Sequence, residues 1–337
     1  MRYTDDDKAL MMLSKETSIK KKMNMFDSVE RPRELYDDLS DADEMIRQMD
    51  ELGVVAITRV SDMYPKALLD IYDPPVVLYC RGNVDLLQAN ILAIVGTRKA
   101  TRYGKDATKC FVQKFVQRDI CIISGLARGI DSVAHRATLE NGGKTIAVVA
   151  TGLDQVYPSE NLELAQSIIT DGLMVSEYPI GTGVHAFRFP ERNRIISGLS
   201  NGVLIPEAGL NSGSLITANC AIDQGKELYI IPGSIFASQS MGGNQMLKDL
   251  QGTMVTCPED IEGDDAKVDR EELAVQLTME QQVILNMLKD DEEVHFTTLI
   301  AGSKMSVGEL SALLSEMEIY GLIRKLSGNY YMRSPKL

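Results

Sequence analysis

Short apolar runs alternate with longer amphipathic stretches through the middle of the chain. Six runs are rich in β-branched residues and nearly free of polar positions, which predicts strands that are buried on both faces. They are Ile91–Val95, Ile120–Ser124, Thr145–Ala150, Leu173–Ser176, Gly202–Ile205 and Glu227–Ile231. Because the segments between them have helical periodicity, the pattern predicts an α/β, Rossmann-like domain with a parallel sheet over residues 82–260. Ligand sites of such sheets lie at the carboxyl ends of the strands.

The sequence before this domain predicts a small N-terminal helical domain over residues 1–52. Apolar side chains recur every three or four positions in Lys20–Val29 and Leu35–Leu52, as they do in amphipathic helices. Prolines and turn residues interrupt the pattern in residues 53–81, which we interpret as a bridging segment.

The C-terminal part predicts an acidic linker over residues 261–275 and a winged helix over residues 276–337. We expect Gly321 to end its third helix and the following residues, through a Ser-Gly-Asn turn at 327–329, to form a β-hairpin wing. The third helix carries three glutamates and neither lysine nor arginine, so we interpret this part as a protein-interaction or regulatory module. Two capping boxes predict the starts of the first and third helices: Thr278 with Gln281, and Ser306 with Glu309.

The net charge of this 337-residue chain is −13, which taken alone disfavours a nucleic-acid partner. The acidic excess lies in the flanks, because residues 81–260 carry 16 lysines and arginines against 17 acidic residues. Between Gly96 and Arg118, seven basic residues accompany the single acidic residue Asp106. Since phosphate responds to the local potential, this segment predicts a positive patch on the central domain.

Composition also restricts location and chemistry. No apolar run is long enough for a transmembrane helix, and the N-terminus lacks the apolar core of a secretion signal. The five cysteines are scattered without a CxxC pair, which is typical of free thiols in a reducing compartment. We therefore expect a cytoplasmic protein with no membrane span and no metal site.

Sequence signatures of catalysis or cofactor binding are missing. The chain has no P-loop, and Gly181-Thr182-Gly183 is not followed by the third glycine of a dinucleotide fingerprint. Asp131 and His135 lie one helical turn apart and can pair. Without a positioned nucleophile, we interpret them as structural rather than catalytic. We expect no cofactor and no catalytic residue.

Residues 187–194, Phe-Arg-Phe-Pro-Glu-Arg-Asn-Arg, combine two aromatic residues with three arginines. Guanidinium groups neutralise phosphates, and aromatic rings stack on bases of any sequence. This segment alone leaves two interpretations open: a nucleic-acid contact, or a buried strand with Phe187 and Phe189 on one face.

Three polar, glycine-containing turns precede predicted helices: Gly96-Thr97-Arg98, Ser124–Asp131 and Asn211–Ser214. Free backbone amides at such helix starts attract anions, although tight-turn chemistry alone, with Asp131 as an N-cap, is the alternative. Arg98 follows the first strand of the sheet, so we favour it as functional. The spacing also places it on one helical face with three further basic residues, Arg102, Lys105 and Lys109.

Several short motifs occur in an order that resembles the DNA-processing protein A family (DprA, also called Smf). Each motif alone is weak, but the series covers residues 53–260 densely. The motifs are Gly96-Thr97-Arg98, Ser124–Asp131, Thr151-Gly152-Leu153, Tyr157-Pro158, Ser176–Pro179, Phe187–Arg194, Ser212-Gly213-Ser214 and Ile231-Pro232-Gly233.

The resemblance implies a single-stranded-DNA-binding protein of natural transformation and DNA recombination in competent cells. Such a protein protects incoming DNA, loads RecA recombinase onto strands coated by single-strand-binding protein, acts as a homodimer and has no catalytic step. Carried over to this chain, the resemblance implies a stacking role for Phe189 and a loop-orienting role for Asn193. It also implies phosphate contacts from Thr97, Arg98, Arg128, Arg188, Arg192 and Arg194.

The full predicted DNA-binding set adds the residues of the three turns: Gly96, Ser124, Gly125, Gly129, Ser212, Gly213 and Ser214. Two alternatives remain open. One is a Rossmann-like nucleotide-binding or nucleotide-hydrolysing enzyme that uses Glu207 beside the third turn. The other is an adaptor that acts through its acidic flanks.

Overall fold

The computed structural model describes residues 3–261, 278–288, 292–319 and 322–334. The chain forms two compact units, Met1–Gly263 and Asp264–Leu337. The domain boundaries at residues 52, 81 and 275 remain predictions. Apart from residue 261, the predicted acidic linker lies outside the described residues, as does Gly321.

The first unit is built on a nine-stranded sheet with the strand order β1-β2-β6-β5-β4-β3-β7-β8-β9. The strands from β6 to β9 in this order are parallel, whereas β1 and β2 are antiparallel additions at one edge. The six predicted strands are confirmed as β3 to β8; residues 53–81 add β1 and β2. The strands are Val55–Thr58 (β1), Val77–Gly82 (β2), Ile91–Ile94 (β3), Cys121–Ser124 (β4), Thr145–Val148 (β5), Leu173–Ser176 (β6), Gly202–Ile205 (β7), Glu227–Ile230 (β8) and Thr253–Met254 (β9).

Helices cover both faces of this sheet. They are Asp5–Leu13 (α1), Ile19–Asp27 (α2), Ser40–Leu52 (α3), Lys66–Leu69 (α4), Arg102–Gln117 (α5), Ile130–Glu140 (α6), Leu162–Asp171 (α7), Arg188–Leu199 (α8), Ser214–Asp223 (α9) and Met241–Lys248 (α10). Alternation along β5 shows the two-sided core: Ile146 and Val148 pack in one apolar cluster with α8 and α9, and Ala147 packs in another with α1, α3 and α7. The N-terminal helices therefore share a core with the sheet.

The order of the parallel strands reverses at β3. From β3 the chain passes outward through β4, β5 and β6, and then returns to β7 on the other side of β3. The loops that follow β3 and β7 consequently leave the sheet in opposite directions. In open α/β sheets this switch point is where a crevice for ligands forms.

The second unit contains the helices Met279–Met287 (α11), Phe296–Ser303 (α12) and Val307–Ile319 (α13) and a three-stranded sheet. Its strands are Val294–His295 (β10), Ile323–Lys325 (β11) and Tyr330–Arg333 (β12), with β12 in the centre. The predicted hairpin is confirmed by the pairing of β11 with β12. Both predicted capping boxes are present as reciprocal hydrogen bonds. None of the helices in the described part of the chain is long and apolar enough to cross a bilayer.

Candidate nucleic-acid interface

A cleft of about 900 Å³ opens at the switch point, and we call it the switch-point cleft. Its walls come from the loop after β3, the start of α8 and the turn before α9. Nine residues of the predicted DNA-binding set line it: Gly96, Thr97, Arg98, Phe189, Arg192, Asn193, Ser212, Gly213 and Ser214.

Arg98 lies in the loop after β3 and not on a helix. Helix α5 begins at Arg102 because the Thr101 side chain caps it, accepting a hydrogen bond of 3.2 Å from the Gly104 amide. The prediction that Arg98 shares a helical face with Arg102, Lys105 and Lys109 is therefore wrong. Arg98 and its neighbour Lys99 are exposed at the rim of the cleft, and neither forms an ion pair within the described residues.

Glu207 holds this loop in place. Its backbone carbonyl accepts a 2.8 Å hydrogen bond from the Thr97 amide, and its carboxylate accepts bonds of 2.8 and 2.6 Å from the Thr101 amide and hydroxyl. The hydroxyl of Thr97 is also engaged, since it donates to Gln239 at 2.6 Å. Both carboxylate oxygens of the buried Glu207 accept hydrogen bonds from this loop, so the carboxylate has a structural role.

The Phe/Arg segment forms the start of α8, so the interpretation as a buried strand is wrong. Phe187 is half exposed, whereas Arg188 is buried with its guanidinium 4.9 Å from the Tyr178 ring centroid. Arg188 also donates a 2.6 Å hydrogen bond to the Gly183 carbonyl. The Arg188 guanidinium thus holds the segment that precedes α8 through this hydrogen bond. Arg188 does not line the cleft.

Arg192 reaches beneath the cleft and joins the ends of β4 and β5. Its guanidinium donates to the carbonyls of Gly125, at 2.7 Å, and Val148, and to the side chain of Asn193 at 3.2 Å. A Cβ at position 125 would stand 2.5 Å from the guanidinium nitrogens, so this approach requires glycine. Burial lowers the pKa of Arg192 to about 10, which still leaves it charged at neutral pH.

Arg194 is paired on the far side of the cleft wall. Two guanidinium nitrogens donate to the carboxylate oxygens of Glu177, at 3.1 and 2.7 Å, and both side chains are largely buried. Burial would raise the pKa of Glu177, but Arg194 and Lys22 outweigh it and lower that pKa. Arg194 does not line the cleft, so a phosphate contact would require this pair to open.

The second turn is mainly a packing element. Ser124 is fully buried and donates a 2.6 Å hydrogen bond to the Ile94 carbonyl. Gly129 caps α6 at φ = 78°, a conformation that favours glycine. The expectation of Asp131 as the N-cap is wrong for this reason. Its carboxylate instead accepts from the Gly125 and Ala127 amides at 3.2 and 3.4 Å.

Two charged side chains near this turn have specific partners. Arg128 is exposed and forms a bidentate pair with Glu160, with both hydrogen bonds at 2.7 Å. His135 is fully buried and contacts Thr145 Oγ1 through Nδ1 at 2.7 Å, so the possible pairing with Asp131 is not observed. Burial lowers the pKa of His135 to about 3, which fits a neutral structural histidine.

The third turn connects β7 to α9 and contacts Asn193 of α8. The hydroxyls of Ser212 and Ser214 lie 2.7 Å apart, and the Asn193 side chain donates to the Gly213 carbonyl at 3.4 Å. Helix α9 begins at Ser214 at the edge of the cleft. Its first amides donate within the turn: Ser214 to the Ser212 hydroxyl at 3.4 Å, Leu215 to the Ser212 carbonyl at 3.1 Å and Ile216 to the Gly213 carbonyl at 3.2 Å. The serine hydroxyls and the positive end of the α9 dipole suit a phosphate or another anion.

The predicted set lacks an aromatic residue of the cleft, Tyr157. Tyr157, in the loop after β5, is 46% exposed and lies beside Phe189 with ring centroids 5.6 Å apart. The Arg98 guanidinium lies over the Phe189 ring at 5.5 Å from its centroid. The Tyr157-Pro158 motif was the available signal, but nothing in the local pattern indicates that it approaches Phe189.

Comparisons with known proteins agree with this architecture. The sequence model of DNA recombination-mediator protein A matches residues 55–264, and that of the DprA winged helix domain matches residues 268–329. DNA processing protein DprA of Streptococcus pneumoniae is 44% identical over 202 residues, which are 60% of this chain and 71% of that protein. Protein Smf of Escherichia coli is 44% identical over 203 residues, 60% of this chain but only 54% of that protein.

Two solved structures are similar in fold. The X-ray structure of DprA from Streptococcus pneumoniae has a TM-score of 0.65 at 34% identity, covering 77% of this chain and 98% of that one. A Helicobacter pylori DprA structure, described as showing a single-stranded DNA binding mode, has a TM-score of 0.57 at 32% identity, covering 62% and 93%. The resemblance inferred from the motifs is confirmed, and the chain belongs to the DNA recombination-mediator protein A (DprA/Smf) family.

Proposed function

We propose that this protein binds single-stranded DNA in the switch-point cleft and acts in DNA processing during natural transformation. The observation that carries the proposal is the meeting, in one cleft, of the exposed Arg98, the aromatic ring of Phe189 and the polar turn Ser212–Ser214. A guanidinium, serine hydroxyls and the positive end of a helix dipole suit phosphates, and an aromatic ring suits an unpaired base. The DNA-binding description of the Helicobacter pylori relative supports the same partner.

The proposal divides the predicted residues into two groups. Arg98, the third turn and the aromatic wall that contains Phe189 would contact the strand directly, because they lie at the cleft surface. Arg188, Arg192 and Arg194 would act by holding the walls, since their guanidinium groups already donate to protein acceptors. Arg128 would join the first group once released from Glu160.

Binding of labelled oligonucleotides tests the proposal. We expect salt-sensitive, sequence-tolerant binding of single strands that exceeds binding of blunt duplexes of equal length, because stacking requires unpaired bases. Equal affinity for the two forms would contradict it. Nucleotide hydrolysis by the purified protein alone would support the enzyme alternative instead.

We further propose that the protein works as a cytoplasmic homodimer that helps to load RecA recombinase onto strands coated by single-strand-binding protein. The family description as a recombination mediator supports this role. Since the sequence has no P-loop, loading would depend on binding energy, and a dimer would bring two strand segments to a high effective concentration.

The lag before RecA hydrolyses ATP on coated strands measures this activity. We expect the wild-type protein to shorten the lag and Arg98→Glu at equal concentration to shorten it less. No shortening by the wild type would remove the loading role. Equal shortening by both proteins would separate loading from the cleft.

A further inference from the structure

Tyr157 and Phe189 form a pair of rings on one wall of the switch-point cleft. They come from different elements, the loop after β5 and the first turn of α8, and their ring planes are tilted by 57° at a centroid distance of 5.6 Å. The pair therefore exists only because the fold brings the two elements together. The sequence analysis assigned base stacking to one aromatic residue alone, Phe189.

The Phe189 ring is already occupied by protein groups. The Arg98 guanidinium carbon lies over the ring at 5.5 Å from the centroid, a favourable cation–π arrangement. Tyr157 contacts the same ring, and Phe189 is only partly exposed. A base that stacked directly on Phe189 would have to compete with these two neighbours.

Tyr157 has a different environment. Its side chain is 46% exposed while it lines the cleft, and within the described residues its hydroxyl makes no hydrogen bond. The end of its loop is fixed, because the Asn161 side chain donates a 2.9 Å hydrogen bond to the Leu126 carbonyl. A large ring with few rotatable bonds, supported from behind and open in front, suits contact with another flat group.

We propose that Tyr157 is the ring on which the bound strand stacks a base, and that Phe189 supports it while orienting Arg98 toward the phosphates. This assignment rests on the proposed function, since it names a contact within the same cleft. It moves the stacking role from Phe189, where the resemblance placed it, to Tyr157. The Tyr157–Phe189–Arg98 series then links the base contact and the phosphate contact through a tilted ring pair and a cation–π contact.

A tryptophan reporter tests the assignment directly, because the chain contains no tryptophan. Tyr157→Trp places the sole indole at the proposed contact. We expect single-stranded oligothymidylate to quench its fluorescence, and an abasic oligonucleotide of the same length not to. Tyr72→Trp is the matched control, since Tyr72 is 96% exposed and does not line the cleft; we expect no base-dependent quenching there.

Affinities provide the second readout. We expect Tyr157→Ala to weaken oligothymidylate binding about 5- to 150-fold, the range for loss of one stacked base, and to leave binding of the abasic strand unchanged. Tyr157→Phe should bind like the wild type. Oligothymidylate binding without quenching of Tyr157→Trp would overturn the stacking assignment alone. Failure of the wild type to bind any single strand would instead overturn the proposed function. If Tyr157→Ala does not fold, the Tyr157→Trp measurement still decides.

Discussion

The buried carboxylate of Glu207 accepts two hydrogen bonds from Thr101, one from the backbone amide and one from the hydroxyl. This contact joins the end of β7 to the loop after β3, directly across the switch point. It therefore sets the position from which Arg98 reaches the cleft.

We predict that Glu207→Ala lowers both the free energy of unfolding and the affinity for single strands. The substitution leaves the Thr101 amide without its partner, which costs about 1–3 kcal/mol, and releases the Arg98 loop. Urea denaturation and oligonucleotide titration measure the two effects. Glu207→Gln can still accept a hydrogen bond, so we expect smaller losses of stability and affinity. Glu227→Ala, on the surface, serves as the control. Unchanged binding by Glu207→Ala would show that the loop needs no such anchor.

Arg98→Ala should weaken strand binding more than Lys109→Ala, although both remove one positive charge. Arg98 lies at the rim of the cleft, whereas Lys109 is exposed along α5. If Arg98 contacts one phosphate, its loss should reduce the slope of log affinity against log salt by about 0.7. Titrations at four or more salt concentrations give this slope. An equal change for the two variants would indicate diffuse attraction by the whole helix.

Removing the negative partner of Arg128 should strengthen strand binding. Glu160 occupies the Nε–Nη2 edge of this exposed guanidinium, so Glu160→Gln removes the charge that holds this edge and makes it available to a phosphate. Glu163→Gln, nearby on the surface of α7, makes the same charge change and is the control. Combining Glu160→Gln with Arg128→Gln should abolish the gain. A gain that survives this double substitution would place the effect elsewhere.

Acid should destabilise the first unit through His135 well above the range in which carboxylates titrate. The pKa of His135 is lowered to about 3 in the folded protein, against about 6.5 in an unfolded chain. Below pH 6.5 the unfolded state takes up the proton first, so stability falls as pH falls toward 3. Between pH 7 and pH 5 this one group contributes a loss of about 2 kcal/mol. Denaturation of wild type and His135→Gln at both pH values measures it; we expect a flatter dependence in the variant, and identical dependences would contradict the assignment.

Deletion of residues 270–337 should leave most of the strand affinity intact. The cleft lies within the first unit, and α13 of the second carries three glutamates without a basic residue. Titration of the truncated and full-length proteins with the same oligonucleotide tests this. A large loss in a folded truncation would give the winged helix a direct role in DNA contact.

The sequence predicted the parts of the fold that depend on local pattern. The six apolar runs became β3 to β8, and the capping boxes at Thr278 and Ser306 start helices as expected. Residues 53–81 were not predicted to join the sheet, because prolines and turn residues interrupt the pattern there and the antiparallel pairing of β1 and β2 is a tertiary event. The periodicity of apolar residues predicts which side chains are buried, but it does not predict which strands are neighbours in the sheet.

The candidate site was predictable as a list of residues but not as an arrangement. The sequence does not distinguish an arginine that faces solvent, such as Arg98, from one that donates to buried carbonyls, such as Arg192. Likewise, the partners of Arg128 and Arg194 are Glu160 and Glu177, which lie 32 and 17 residues away in sequence. Only the fold decides which charges remain available to a ligand.

The pairing of β3 with β7 has a consequence for the protein during its synthesis. Leu92 and Gly202 are register partners, although about 110 residues separate them in sequence. A nascent chain therefore cannot close the switch-point cleft until β7 and the turn at Ser212–Ser214 have left the ribosome. Such long-range parallel pairing is slow to form, because much loop entropy is lost before the contacts are made. Affinity for a single strand should thus appear abruptly, and late, along the growing polypeptide.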